Sequence, residues 1–541
     1  MTIEQNKKLS IVSIIIVSIV LLSLFYCFYH RHIPFSSDST TLLPVAQDIL
    51  NGNIFMRDWI VGSNNFVFSE ILFYCAGLAW GLSKLVLLTV IPSLFLACFI
   101  VIFSYTFVFF DKTLMSVHAV LKMILCLFYI LLVGIIPLES GYTLLNANSH
   151  NNLYLFVVFC VICVFYFLEK NSKSWLISYS VLLFLLSFSE DVTIMILSGP
   201  VVAFCLYHLI YGRLPPNLKT SRKNYLILLG TTLLYALLGK LACFFLASYG
   251  GLVTRGIPLR LILSPAKVWE RIISFFPQLS VLFGYHVQDG LGFGSLLQFQ
   301  NTFICIVMIC WAISFIAGSL FFYRLSFFDK FLILISIANL CGCFFTDVAV
   351  FHRYIVPAYL FGMLFMLKCL LRMIIYCVTI IIKKKTFIRN TICIALFGIF
   401  GVCCSITSYR RIHIMRTSRL SDGQDELKIV EIIQAKGFGD GYGDFWCASM
   451  PSFYSDFNIK IYPIYALSNS LSAWPELVKR TWYEEQDKHF IIMPTPPSTS
   501  FINYDDMVKI LGVPDDSFSQ GRYSVYYWQK DISPYIKHPE S

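Results

Sequence analysis

Long apolar runs alternate with short polar segments along most of the chain, from Leu9 to about Ser405. The runs are close to the roughly 20 residues that an α-helix needs to cross a bilayer. The first run is longer than the apolar core of a signal peptide and lacks a small-residue cleavage pattern, so we expect it to be retained. The pattern predicts eleven spans, at 9–29, 84–110, 119–138, 153–168, 175–189, 192–211, 225–248, 301–322, 330–345, 356–377 and 391–406.

Composition supports a polytopic helical membrane protein, since 57% of the residues are hydrophobic and only 13% are charged. The formal charge of +10 does not indicate nucleic-acid binding, because Lys and Arg lie mainly in the short loops between apolar runs. Such loops remain in the cytoplasm. Eleven spans then place the N-terminus inside, and the loops rich in acids, His and Asn outside.

One apolar segment does not fit this alternation. A full span from Phe66 to Leu82 would move every later basic loop to the outer side. We therefore expect this segment to be an interfacial or re-entrant helix at the outer face, directly before the second span.

The chain changes character after Tyr409, so we divide it into a membrane module, 1–409, and a soluble domain, 410–541. The soluble part has 14 Lys and Arg against 17 Asp and Glu, which again argues against nucleic acid as a partner. Its periodicity predicts a small α/β domain on the outer side. The predicted helices are 421–436 and 504–512, and the predicted strands are 459–467, 489–494 and 522–528.

Four carboxylates lie in the outer loop, 30–83. Acids where a membrane bundle opens to water are candidates for chemistry, because a carboxylate can accept a proton from a hydroxyl nucleophile. Asp38 follows the first span by a short turn and is the strongest candidate for a catalytic base. Glu70 lies in an apolar segment and is either a second catalytic acid or a structural partner. Asp48 and Asp58 are better explained as structural residues.

A basic cluster marks the start of the tenth span, where His352, Arg353 and Tyr354 are consecutive. The planar guanidinium of Arg suits phosphate oxygens, and a Tyr hydroxyl can add a further hydrogen bond. At headgroup depth the partner would be the phosphate of a lipid. Arg255, in the preceding outer segment, could assist. The alternative is an Arg that reaches from a helix end towards the interface.

Two further outer turns carry polar side chains. Asn148 and His150 precede the fourth span, and Glu190 and Asp191 precede the sixth. These residue types suit sugar hydroxyls, although Asn and Asp are also common helix caps.

These residues together resemble the GT-C superfamily of integral-membrane glycosyltransferases. The resemblance rests on the acid after the first helix, the A-x-D-I-L-x-G helix after it, the turns SHNN and FSED, the RY pair and GYGDFW in the tail. The motifs are short, but they follow one order along the whole chain. Size and the soluble tail are similar to bacterial serotype-converting O-antigen glucosyltransferases.

The resemblance implies an inverting transfer of a sugar, glucose by this likeness, from a polyprenyl phosphate to a lipid-linked O-antigen or other surface glycan. Asp38 would be the base, Glu70 a second acid and Arg353 the phosphate ligand. No cofactor is expected, and a divalent metal stays open because Asp38 lies between Ser37 and Ser39. The location would be the bacterial inner membrane, with the C-terminal domain in the periplasm. A flippase and a polyprenyl-phosphate sugar synthase would be functional partners.

Two other functions remain open. An O-antigen polymerase or ligase would use sugar chemistry, but usually with outer-loop Arg and His instead of Asp. A lipid-linked saccharide flippase or another transporter usually has charges at mid-membrane and an internal repeat. Here the intramembrane charges are sparse, with Lys240 and Lys368 the clearest, and no repeat is visible.

Overall fold

A helical bundle and a C-terminal domain with a mixed β-sheet make up the computed structural model of the protein. The residues it describes are 3–30, 40–62, 64–115, 117–135, 151–211, 220–255, 260–285, 296–347, 352–382, 391–392, 395, 398–409, 423–467, 470–495 and 500–539. The bundle contains α1 (Ile3–His30), α2 (Leu42–Leu50), α3 (Leu72–Ala79), α4 (Lys84–Phe109), α5 (Ala119–Tyr129), α6 (Asn151–Lys170), α7 (Lys173–Ser189), α8 (Gly199–Tyr211), α9 (Arg222–Ser248), α10 (Pro265–Leu282), α11 (Leu296–Leu320), α12 (Phe327–Phe345), α13 (His352–Ile382) and α14 (Gly398–Tyr409).

The fold class predicted from the sequence is confirmed, and each predicted span coincides with a helix. Within the described ranges, seven helices are long and apolar enough to cross a bilayer: Lys84–Phe109, Asn152–Lys170, Ile194–Tyr211, Arg222–Ser248, Gln298–Leu320, Phe327–Phe345 and Tyr354–Ile380. Shorter apolar helices are Val12–Phe28, Val67–Ala79, Ala119–Ile135, Lys173–Ser189 and Gly398–Tyr409.

The segment expected to be interfacial begins with a π-helical turn, Val67–Ile71, that runs into α3. Val67–Ala79 spans 13 residues, about 20 Å at 1.5 Å per residue, and a bilayer core is about 30 Å thick. A turn at Gly81, with φ +76°, separates it from α4. The segment is therefore too short to cross a bilayer, which agrees with its predicted place at the outer face.

One helix was not predicted. The hydropathy pattern predicts only an outer connection between the seventh and eighth spans, but the structure places α10 there. Phe275 and Leu279 are buried, whereas Trp269 and Phe276 are more than half exposed. A short helix with apolar side chains on both faces does not show the hydropathy of a span, and it suits the edge of a bundle that meets lipid.

Four charged side chains lie together at the end of the bundle opposite the C-terminal domain. Lys368 Nζ is 2.6 Å from Asp111 Oδ2 and 2.6 Å from Asp329 Oδ1. The Arg372 guanidinium lies 3.1 Å and 2.7 Å from the same two carboxylates. Both acids and Lys368 are buried. The cluster holds two positive and two negative charges, and it ties α12 and α13 to the end of α4.

A seven-stranded sheet forms the centre of the C-terminal domain, in the order β10-β5-β4-β3-β7-β9-β8. Strand β3 pairs in parallel with both β4 and β7, and the outer hairpin strands are antiparallel. The elements are α15 (Gln424–Ala435), β3 (Gly441–Asp444), α16 (Phe445–Tyr454), β4 (Ile461–Leu467), β5 (Ser470–Ala473), β7 (Phe490–Pro494), α17 (Tyr504–Leu511), β8 (Asp516–Gln520), β9 (Tyr523–Tyr527) and β10 (Ile536–Lys537).

Helices cover both faces of this sheet. Successive side chains of a strand point to opposite faces, so each strand contributes to both cores. On β7, Phe490 and Ile492 pack with α15 and α16, whereas Ile491 and Met493 pack with α17. A sheet with helices on both faces agrees with the α/β domain predicted from the sequence.

A second, small sheet joins the C-terminal domain to the outer loop. Its strands are β1 (Trp59–Val61), β2 (Val253–Thr254) and β6 (Val478–Lys479). β1 is central, parallel to β2 and antiparallel to β6. At the outer end of α4, Lys84 Nζ adds a contact of 3.4 Å to Asp456 and lies 4.4 Å above the Phe457 ring. The loop after the first helix and the C-terminal domain therefore form one packed layer.

Candidate functional site

The π-helical turn at the start of α3 carries Glu70, the second acid predicted from the sequence. Its side chain is only 2% exposed, and Oε2 has no hydrogen-bond partner among the described residues. A buried carboxyl oxygen without a partner is costly in a folded protein. Glu70 is therefore a candidate functional residue.

Hydrogen bonds from two other helices hold this turn in place. Asn65 N donates to Ser189 O at 2.9 Å, and Asn65 Nδ2 donates to Phe188 O at 2.7 Å. Phe68 N donates to Ser189 Oγ at 3.0 Å. Asn152 Nδ2, on α6, donates to Ser69 O. Each bond satisfies a backbone group that a π-turn or a helix end leaves open, so Glu70 has a defined position relative to the end of α7.

Glu190 follows directly after α7 and lies close to Glu70. It is fully buried, and its carboxyl group interacts electrostatically with that of Glu70. Burial, and then the neighbouring Glu190 carboxyl, raise the pKa of Glu70 well above its ordinary value. The neighbouring Glu190 carboxyl therefore adds to burial in disfavouring the ionised form of Glu70. Both residues are candidates from the sequence, but the sequence does not predict that they are neighbours.

Replacing Glu70 with glutamine should make the stability of the protein less dependent on pH. In the unfolded chain Glu70 ionises near pH 4.3, whereas the folded protein keeps the proton to higher pH. The contribution of Glu70 to stability therefore falls as the pH rises above about 4.3. Glutamine cannot ionise, so the Tm of Glu70→Gln should exceed that of the wild type by at least about 2 °C at pH 8.

Thermal unfolding of the detergent-purified chain between pH 5 and pH 8 measures this difference. Glu431→Gln, at an exposed position on α15, is the matched control and should follow the wild-type curve. A Glu70→Gln difference that stays constant across this range would mean that Glu70 is ionised in the folded protein.

Asp191, next to Glu190, is engaged by a cation. Lys240 Nζ on α9 forms an ion pair with the Asp191 carboxylate. The backbone N of Asp191 donates to Asn64 Oδ1 at 2.8 Å. Lys240, one of the two intramembrane cations noted in the sequence, is thus paired. The predicted role of Asp191 in substrate binding stays a prediction, and the observed contacts join α7, α9 and the segment before Glu70.

Two arginines, Arg260 and Arg271, make contacts near the C-terminal end of α12. Arg271, on α10, donates to Cys343 O at 3.4 Å. Arg260 N donates to Asp347 Oδ1 at 2.9 Å, so the strand-like segment at Arg260 lies beside the connection from α12 to α13. Gly342, on α12, contacts the Met195 side chain. This contact joins α12 to the π-helical turn Ile194–Ser198, which follows Glu190 and Asp191.

The remaining predicted site residues are distributed as follows. Tyr354 is half-buried at the start of α13, and its carbonyl accepts a hydrogen bond of 2.8 Å from Asn339 Nδ2. Arg255 follows β2, and its backbone N donates to Val61 O at 3.0 Å. His352 and Arg353 begin α13, but their side chains lie outside what the structure describes, as do Asp38, Asn148 and His150 entirely. Their roles stay predictions.

Asp48, expected to be structural, connects the outer loop to the C-terminal domain. Its carboxylate accepts hydrogen bonds from Asn53 Nδ2 at 2.6 Å, Trp59 Nε1 at 2.8 Å and Lys479 Nζ at 3.0 Å. Partial burial alone would raise its pKa, but these donors and the Lys479 charge outweigh burial and lower the pKa below its ordinary value. Asp58 is exposed in a turn, where its carbonyl accepts from Arg480 N at 2.8 Å.

The aromatic residues around GYGDFW divide into two groups. Tyr442 and Phe453 are buried in the domain, whereas Trp446 is 42% exposed. Asp444, fully buried, caps α16 by accepting from Trp446 N at 3.0 Å, and it also accepts from Ser500 Oγ at 2.9 Å. The acid of this motif therefore organises the local fold.

A metal site is not apparent in the described ranges, where no group of three His, Cys, Asp or Glu side chains could hold an ion. Asp38 and His150 lie outside those ranges, so the metal requirement stays open.

Comparisons with known proteins agree with the GT-C fold. No family model and no curated protein matches the chain. Among solved structures, ArnT from Cupriavidus metallidurans in the apo state is 10% identical with a TM-score of 0.52, covering 94% of this chain and 97% of that one. The archaeal oligosaccharyltransferase AglB from Archaeoglobus fulgidus, in complex with an inhibitory peptide and a dolichol-phosphate, is also 10% identical. Its TM-score is 0.50, and the match covers 90% of this chain and 70% of that chain.

Proposed function

We propose that the protein is an inverting glycosyltransferase that moves a sugar from a polyprenyl-phosphate carrier to a lipid-linked O-antigen or other surface glycan. The observation that carries the proposal is the buried pair Glu70 and Glu190, held at the C-terminal-domain end of a GT-C-like bundle. AglB was solved with a dolichol-phosphate, a polyprenyl-phosphate lipid, which is consistent with a donor of this class. Glucose remains the sugar suggested by the resemblance to serotype-converting enzymes.

The reaction is a direct displacement at the anomeric carbon. Asp38 accepts the proton of the acceptor hydroxyl as its oxygen attacks C1, and the bond between C1 and the phosphate oxygen breaks. The carrier leaves as polyprenyl phosphate, whose negative charge Arg353 stabilises. Glu70 is the second acid of the site, and in its protonated form the carboxyl group donates a hydrogen bond to a sugar oxygen. No nucleotide is required, because the donor is activated by its phosphate.

The proposed place of action is the periplasmic face of the bacterial inner membrane, with the N-terminus in the cytoplasm. His150, Asn148, Asp191, Glu190, Arg255, His352 and Tyr354 would line the donor and acceptor sites. A polyprenyl-phosphate sugar synthase would make the donor, and a flippase would bring it to the outer face.

The ion pairs of the bundle weigh against a transporter. Lys240 and Lys368 both contact acids, and the cluster at Lys368 is neutral in total. These partners give both lysines a structural role in joining parts of the bundle. A polymerase or ligase remains the alternative within sugar chemistry.

Transfer by the purified protein in liposomes tests the proposed reaction. Polyprenyl-phosphate hexoses with a radiolabelled sugar (glucose, galactose or mannose) are supplied with surface glycan isolated from cells that lack this chain. Label should enter the glycan from one lipid-linked hexose and never from the corresponding nucleotide sugar. Transfer from a nucleotide sugar alone would overturn the proposal, and so would the absence of transfer from all three lipid donors.

Arg353→Ala should raise the apparent KM for the lipid-linked donor by about 10- to 100-fold, because a hydrogen bond to a charged group contributes about 1.5–3 kcal/mol. Donor titration in the same liposomes measures the change. Arg324→Ala, at an exposed arginine beside the opposite end of α12, is the control and should leave the KM unchanged. An unaltered donor dependence in Arg353→Ala would remove this residue from the phosphate site.

A further inference from the structure

Four aromatic side chains in the C-terminal domain pack against one another and form the aromatic platform: Phe445, Trp446, Trp474 and Phe501. Phe445 stacks on Trp474 with ring centroids 4.5 Å apart and planes at 18°. Phe501 lies 4.8 Å from Trp474 and 6.4 Å from Trp446, with the planes of Trp446 and Phe501 at 24°. Trp446 is 42% exposed and Phe501 is 45% exposed. Two partly exposed rings, Trp446 and Phe501, are therefore nearly parallel to each other.

The platform lies where the topology of the sheet opens a crevice. After β3 the chain enters α16, which packs on one face of the sheet, whereas α17, the next helix after β7, packs on the other face. β3 and β7 are neighbouring parallel strands. In open α/β sheets, ligands bind outside the carboxyl ends of two such strands. Trp446 and Phe501 lie beside that opening, at Asp444.

A buried carboxylate fixes the two exposed rings relative to each other. Asp444 Oδ1 accepts from Trp446 N at 3.0 Å, and Oδ2 accepts from Phe501 N at 2.5 Å. The rings belong to segments 55 residues apart in sequence, so this shared anchor sets their spacing in advance of binding. Less ordering is then needed when a ligand binds.

We propose that the aromatic platform is a binding subsite for the acceptor glycan, at sugar units remote from the reacting hydroxyl. This inference rests on the proposed function. The ring faces are apolar, and the apolar face of a pyranose can cover them while its hydroxyls stay in water. α16 runs from the platform to the membrane module, and Trp446 is about 12 Å along its axis from Tyr454, where that contact begins. A short oligosaccharide therefore connects the platform to the bundle.

A remote subsite gives binding energy that the reacting sugar alone cannot supply. The platform would then favour polymeric acceptors over a single lipid-linked sugar. A lipid surface is the competing ligand, since exposed Trp and Phe also enter membrane interfaces.

Calorimetric titration of the purified full chain with surface polysaccharide tests the inference, using polysaccharide released by mild acid from cells that lack this chain. Trp446→Ala and Phe501→Ala should each weaken binding roughly tenfold. Trp446→Phe should keep most of the affinity, because it retains a ring face. Tyr535→Ala, at an aromatic residue of the same domain that is 41% exposed, is the matched control.

Binding without transfer separates this inference from the proposed reaction. An Asp38→Asn chain should bind the polysaccharide with wild-type affinity even though it transfers no sugar. Absence of binding by the wild type would overturn the inference, and so would unchanged binding by Trp446→Ala or an equal loss in Tyr535→Ala. A fourth contrary result is loss of binding to vesicles of anionic phospholipid in Trp446→Ala with polysaccharide binding intact, which would assign the platform to lipid.

Discussion

Asp38→Asn should lower glycosyl transfer by about 10²–10⁴-fold while the protein remains folded in the membrane. Asparagine has nearly the same size and polarity as aspartate, but it cannot accept the proton of the attacking hydroxyl. The chemical step should therefore slow, with donor and acceptor binding largely preserved. Initial rates in liposomes at saturating donor and acceptor measure this as a fall in kcat.

Asp58→Asn is a close control for this experiment, since both acids belong to the same outer loop. Asp58 is exposed and has a φ of +69°, a conformation that asparagine tolerates well. Its transfer rate should stay within twofold of the wild type. Wild-type transfer by a folded Asp38→Asn chain would show that another group accepts the proton, and Glu190 would then be the next residue to test.

Lys368→Met should lower the free energy of unfolding by about 3–5 kcal/mol, because breaking a buried ion pair leaves a charge without compensation. Asp111 and Asp329 would then share only Arg372, and the buried cluster would carry a net negative charge. The hydrogen bond of 3.1 Å from Lys368 Nζ to Phe107 O would also be lost. The Tm in detergent and the yield of monodisperse protein should both fall.

Charge balance can be tested separately from side-chain size. The double variant Lys368→Met, Asp329→Asn restores a neutral cluster and should recover much of the lost Tm. Lys436→Met removes an exposed pair with Asp516 in the C-terminal domain, 37% and 46% exposed, and should leave the Tm nearly unchanged. Equal losses in the single and double variants would mean that packing, and not charge, makes Lys368 important.

Hydropathy was sufficient to predict the bundle, because a membrane span is a local property of about 20 residues. The short helix α2 was also predictable from local sequence, because its A-x-D-I-L-x-G motif ends in glycine. In the structure α2 ends at Leu50, and Gly52 follows with a φ of +104°. Helix α10 was missed because Lys267, Glu270, Arg271 and Gln278 interrupt its apolar residues, so it does not show as a span. Its Pro277 also breaks the usual pattern of a helix interior.

Contacts between distant segments could not be predicted from one sequence. Glu70 and Glu190 are 120 positions apart, and only the π-turn and its anchors on α7 bring them together. Lys368 was visible as an intramembrane charge, but of its partners Asp111 follows α4 and Asp329 belongs to α12. Trp446 is exposed and Tyr442 is buried because of the way α16 packs on the sheet. The six residues of GYGDFW are too few for a hydropathy pattern to predict this difference.

The small sheet that joins the outer loop to the C-terminal domain has a consequence for biosynthesis. Trp59 and its partner on β6, Lys479, are 420 residues apart in the chain. At 5–20 residues per second, the ribosome needs roughly 20–80 s to make β6 after β1 has emerged. During that interval the outer loop has an unpaired strand edge and Asp48 has no lysine partner. The loop that carries the proposed base can therefore reach its final structure only after the C-terminal domain has been synthesised, so an incomplete chain in the membrane would lack the small sheet.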